Sequence, residues 1–141
     1  ALMKVLFYSL LAFLLVNSSC TGTQAHTHTT IKDLDEAMID LRAYQEALGE
    51  HIKSGNLKDA DWLYTGMDSV LQVLSNTFPT HRKLKKPFKE YVEVKLQKPL
   101  ALIGTAIEKN DSSLALEQYR ILVRRCNSCH KDLEIDKQVW E

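Results

Sequence analysis

Glycine and proline are scarce in this 141-residue chain, five and three residues respectively. A sandwich or barrel needs many turns, so this scarcity points instead to long helices joined by short loops. Only three cysteines occur, too few for a disulfide scaffold. An excess of one charge is missing as well, because 18 basic residues balance 18 acidic ones. A nucleic-acid binder normally carries a basic excess, so that class is set aside. The length suits one ordinary domain and argues against a multi-domain enzyme. The sequence has no nucleophile arrangement, glycine-rich phosphate loop or H-E-x-x-H signature.

The first long feature present is a leader. Lys4 precedes a mostly apolar run from Val5 to Val16, which makes the n- and h-regions of a secretory signal. The run falls short of the roughly 20 apolar residues that span a bilayer. Asn17-Ser18-Ser19-Cys20 follows. Small residues directly before a cysteine resemble a bacterial lipoprotein signal, in which that cysteine becomes the lipidated first residue. Asn17 stands where the usual pattern has leucine. Plain cleavage after Ala25 is the other reading, and it leaves no anchor. We therefore read residues 1–19 as a signal peptide, 20–30 as a Thr-rich tether and 31–141 as the folded domain. His26 and His28 fall in the tether and read as solvated linker. The expected location is the periplasm, with Cys20 as the lipid attachment point to a membrane facing it.

The rest of the chain reads as four amphipathic helices. Thr29 or Thr30 can cap the first, whose apolar residues Ile31, Leu34, Met38, Leu41, Leu48 and Ile52 share one face. Ser54-Gly55-Asn56 stops it. The second runs from about Leu57 to Thr77 with Leu63, Met67, Val70, Leu71 and Leu74 inward. A basic loop, His81 to Lys86, precedes the third, which carries Phe88, Tyr91, Leu96, Leu100 and Ile103. Pro87 suits its first turn, and Pro99 should kink its interior. Asn110-Asp111 closes the third helix and caps a fourth bearing Leu114, Tyr119, Leu122 and Val123. Nothing alternates with period two for long enough to make a strand. An all-α, antiparallel four-helix bundle is the expected architecture. Two helix ends, Ile52 to Leu57 and Ile107 to Ser112, look alike, but a helical repeat protein needs at least three stacked units.

The fourth helix leads into Cys126-Asn127-Ser128-Cys129-His130, the C-x-x-C-H pattern of c-type haem attachment. Two thiols three residues apart can each form a thioether with one haem vinyl group, and the adjoining histidine supplies an axial nitrogen to the iron. Structural zinc would need a second ligand pair, which the folded domain does not offer. A thioredoxin-like redox pair would need a βαβ setting.

A late haem motif on the last helix of an exported four-helix protein resembles the class II c-type cytochromes, the cytochrome c′ family. The resemblance covers about residues 31–135 in helix layout, and the motif is its one highly specific element. It implies a single covalent haem c among the helices, Cys126 and Cys129 as thioether donors and His130 as proximal ligand. It also implies that a residue of the first helix faces the other side of the iron. The stretch Asp33 to Leu41 resembles the first helix of the related periplasmic b-type four-helix-bundle cytochrome, with Met38 at its ligand methionine. Methionine ligation implies a low-spin one-electron carrier, not an enzyme. An apolar residue there would leave a five-coordinate iron that binds NO or CO. His51 lies about 20 Å along the helix from Met38, so the two cannot share one iron, and His81 is in the basic loop. Family members often have an aromatic residue or arginine soon after the haem histidine, whereas Lys131-Asp132-Leu133-Glu134-Ile135 follows here. Arg42, Arg124 and Arg125 are the substitute candidates for a propionate partner. Expected partners are redox proteins of a periplasmic electron-transfer chain, which the basic loop could steer. The resemblance also implies homodimers through the first two helices, where Trp62 and Tyr64 cannot both point inward.

Overall fold

In the computed structural model the structure describes residues 33–139, all within one unit, Ile31–Glu141. The leader, the tether and Cys20 lie outside the described residues. Among the described residues there are four helices and no strand.

Helix α1 spans Leu34–Lys53. Its N-cap is Asp33, not Thr29 or Thr30, which lie outside the described residues. Asp33 is extended (φ −144°, ψ 146°), and its carboxylate accepts the Asp35 N–H at 3.2 Å. A carboxylate there satisfies an orphan donor and meets the positive end of the helix dipole, which a threonine hydroxyl does only in part. Asp35 and Glu36 add to the first turn, and His51 and Lys53 sit in the last. Leu34, Ala37, Leu41, Gln45, Leu48 and Ile52 form the buried stripe, at the steps of three and four that helical geometry requires.

Gly55 ends α1 at φ +73°. Its N–H donates to the Ile52 carbonyl at 3.1 Å, and the Asn56 N–H donates to the His51 carbonyl at 2.9 Å. These two bonds make a Schellman turn. Asn56 then caps helix α2, Leu57–Thr77, by accepting the Asp59 N–H. The same construction recurs at the other resembling end. Asn110 takes φ +53°, its N–H reaches Ile107 and the Asp111 N–H reaches Ala106. Asp111 then caps α4, Ser112–Asp132, by accepting the Leu114 N–H at 2.9 Å. The likeness between the two ends is therefore one stop-and-restart turn built twice.

Helix α3 is continuous but not uniform. Phe88–Tyr91 is α-helical, Val92–Leu96 is π-helical and Gln97–Glu108 is α-helical again. The apolar steps explain the wide turn. Phe88, Tyr91, Leu96, Leu100 and Ile103 are all buried, and the step of five from Tyr91 to Leu96 would rotate an α-helix off its face. One inserted residue, with the Gln97 N–H bonded to the Val92 carbonyl, keeps both on the core. Buried Pro99 follows within a turn. It has no N–H for the Lys95 carbonyl and would crowd it in a regular helix. The expected kink is thus taken up as a π turn.

Each helix packs on its neighbours in sequence, and α1 also packs on α4. Three close approaches join them. Tyr119 of α4 lies against Gly49 of α1, Tyr44 of α1 against Gly66 of α2, and Tyr64 of α2 against Gly104 of α3. A Cβ at any of these glycines would run into the ring. Tyr119 is fully buried, and its hydroxyl donates to the Gln45 carbonyl at 3.2 Å. Met67 fills core at 1% exposure, while Trp62 is 60% exposed and points outward. No helix among the described residues is long and apolar enough to cross a membrane.

Candidate functional site

The C-x-x-C-H motif lies in the last turns of α4, where Cys126 packs on the core and Asn127, Ser128 and His130 each have a hydrogen-bond partner. Cys126 and Cys129 are three apart on a helix and so share a face. Cys126 packs against the hydrophobic core. Burial, reinforced by Cys129, pushes its thiol up to about 12, against a smaller opposing pull from a backbone hydrogen bond. Burial also raises Cys129, while Lys95 and Lys86 pull it back. Reactive dithiols work through a lowered thiol pKa, the opposite of the direction at both thiols here.

The residues between and after the thiols are held from two sides. Lys95, on the π turn of α3, donates to Ser128 Oγ at 3.2 Å and to Asp132 Oδ2 at 2.5 Å. That contact holds the Asp132 carboxyl below the usual carboxylate range. Asn127 binds the backbone of Val139. His130 Nδ1 lies 2.7 Å from the Lys137 carbonyl oxygen. A carbonyl only accepts, so in the neutral ring Nδ1 carries the proton and Nε2 keeps its lone pair. Two thiols on one helical face and a histidine with Nε2 left for coordination are the donor set that a covalently attached haem requires.

The remaining candidates fall in separate places. Met38 is in the second turn of α1, half-buried against the core. His51 is in the last turn of α1. His81 is half-buried 3.8 Å from Asp33. Among the candidate propionate partners, Arg42 pairs with Glu46 at 2.6 Å, and Arg124 and Arg125 are exposed. Lys95 was not anticipated, although the step of five that builds its turn is visible in the sequence. The basic loop also makes contacts of its own, with Arg82 and Lys83 still exposed. Arg82 pairs with Asp35 at 3.3 Å, Lys83 donates to the Glu134 carbonyl at 2.9 Å, and Lys86 lies over the Tyr91 ring at 4.9 Å. Asp33, Asp35 and His81 come close enough to share a cation, but Asp33 already caps α1 and lies 3.8 Å from His81, and Asp35 pairs with Arg82.

No protein-family model, curated protein or solved structure matches the chain.

Proposed function

We propose that the chain is an exported class II c-type cytochrome, an antiparallel four-helix bundle that carries one covalent haem and transfers single electrons. The observation that carries this reading is the donor set at the end of α4: Cys126, Cys129 and a His130 whose Nδ1 is engaged. When bound, haem supplies a one-electron iron couple. Cys126 and Cys129 would hold it, and His130 Nε2 would be the proximal ligand.

Met38 is the proposed distal ligand, and the helix register supports it. Gln45 of α1 meets Tyr119 of α4. The start of α1, the basic loop and the end of α4 are tied together through Asp35–Arg82 and Lys83–Glu134, as opposed helix directions require. Met38 lies about 10 Å before Gln45 and Cys126 about 10 Å after Tyr119, so opposed helices bring both to one level. A methionine sulfur fills the sixth position and favours ferrous iron, which suits electron transfer and removes ready binding of small gases. The same reading assigns the protein to the periplasm, with lipid at Cys20, redox proteins as partners and homodimers across α1 and α2.

The test is the visible spectrum of the reduced protein, produced with haem-maturation machinery, before and after CO. Sharp low-spin bands that ignore CO are expected, and Met38→Ala should make them respond while leaving haem attached. Broad bands that shift with CO in the parent protein would instead identify a five-coordinate, gas-binding cytochrome c′. A colourless protein would reject both.

A further inference from the structure

We infer that the segment after α4 is a clamp that sets the orientation and tautomer of His130, with Asn127 as its positioning residue. The inference deepens the haem reading, on which it rests only for what Nε2 binds.

The clamp begins where α4 stops. Glu134 adopts φ +54°, a left-handed conformation that is unfavourable for a residue with a side chain. Its N–H donates to the Lys131 carbonyl at 3.2 Å, and the Ile135 N–H donates to the His130 carbonyl at 2.9 Å. Lys83 holds the Glu134 carbonyl from the basic loop. This Schellman turn sends the chain back along the last turns of α4. Glycine or asparagine normally supplies such a turn, and here glutamate is held in it by contacts on both sides.

The returning segment is then fixed to one register. Asn127 Nδ2 donates to the Val139 carbonyl at 2.9 Å, and the Val139 N–H donates to Asn127 Oδ1 at 2.8 Å. A side-chain amide offers the one donor and one acceptor that a single backbone residue needs. Alanine offers neither, and aspartate lacks the donor. With Val139 held, the Lys137 carbonyl two residues earlier meets His130 Nδ1. Asn127 and His130 are three apart and share one face of α4, along which the segment lies. The thiols of Cys126 and Cys129 belong to the neighbouring face. One variable position of the C-x-x-C-H motif therefore orients its histidine through seven further residues of chain.

The consequence is chemical as well as geometric. An Nδ1–H bonded to a carbonyl fixes the ring and removes the competing tautomer in which Nε2 is blocked by a proton. The closing experiment uses isotope-labelled full chain without haem. Long-range proton–nitrogen correlation near neutral pH should show His130 as the Nδ1–H tautomer. Asn127→Ala and Val139→Pro should each bring in the Nε2–H form, and the double variant should go no further than either single one. Lys137→Ala should change nothing, since the clamp uses its backbone carbonyl. An Nε2–H ring in the parent chain, or tautomers unmoved by both single variants, overturns the clamp. In haem-loaded protein the same two variants should raise the midpoint potential, because an imidazole that loses its Nδ1–H bond donates less to the iron and stabilises ferric iron less. A tenfold loss of ferric preference would read as about 59 mV for one electron. If no haem attaches, the haem reading fails, while the tautomer measurement still decides the clamp.

Discussion

The two ends of this bundle are built by different means. At one end, Ser54-Gly55-Asn56 and Lys109-Asn110-Asp111 each stop a helix and start the next within a few residues, using bonds between near neighbours in sequence. At the other end, the start of α1, the basic loop, the π turn of α3 and the segment after α4 are joined by contacts between residues tens of positions apart. Arg82 reaches Asp35, Lys83 reaches Glu134 and Lys95 reaches Asp132. Local turns are sufficient to reverse a chain. Holding two thiols and one ring nitrogen in a set arrangement takes supports from several directions, and among the described residues such supports gather at the C-x-x-C-H end.

The largest effect that would sharpen this contrast concerns thiol reactivity. With Cys126 pushed up to about 12, only about one part in ten thousand is thiolate at pH 8, roughly a thousandfold less than for an ordinary thiol. Timed alkylation of haem-free chain, read by mass spectrometry, should modify Cys129 well before Cys126 and speed up at Cys126 as pH rises. Equal rates at both thiols would mean that the helix end is not packed as described.

A smaller effect belongs to the plain half, where Gly49→Ala drives a Cβ into the Tyr119 ring. Overpacking of this kind costs about 1–3 kcal/mol, so the thermal midpoint should fall, and an unchanged midpoint would break the α1–α4 contact. Asp111→Ala removes the cap of α4 and should cost about 1 kcal/mol. Because that turn is local, the spectrum of haem-loaded protein should stay the same. The smallest change expected is a gain. Glu134→Gly relieves the left-handed residue and should stabilise folding by less than about 1 kcal/mol, seen as a small rise in the urea midpoint. A loss of stability would mean that Glu134 is held by more than its backbone.

Several of these features can be read from the residues themselves. The apolar spacing from Leu57 to Thr77 matches the observed α2, and Leu122 and Val123 are buried as their positions imply. The likeness of Ile52–Leu57 to Ile107–Ser112 was visible, and its cause is a turn whose hydrogen bonds all lie within six residues. Asp33 as the cap of α1 was missed because Thr29, Thr30 and Asp33 are all chemically able to cap, and a tertiary contact with His81 favours Asp33. The π turn was signalled by the step of five from Tyr91 to Leu96, although the same residues also pass for an ordinary helix with one proline.

By itself the sequence determined the helical class, most helix boundaries and the presence of two thiols and a histidine in haem-attachment spacing. These follow from periodicity, capping chemistry and a contiguous motif, all of which act over a few residues. Only the tertiary structure decided that Lys95 supports Ser128 and Asp132, that Tyr119 lodges against Gly49, and that a returning segment engages Asn127 and His130. Those pairings join residues on different elements or across a reversal of the chain. No local pattern encodes them, because they depend on where whole helices come to rest once their apolar faces are buried.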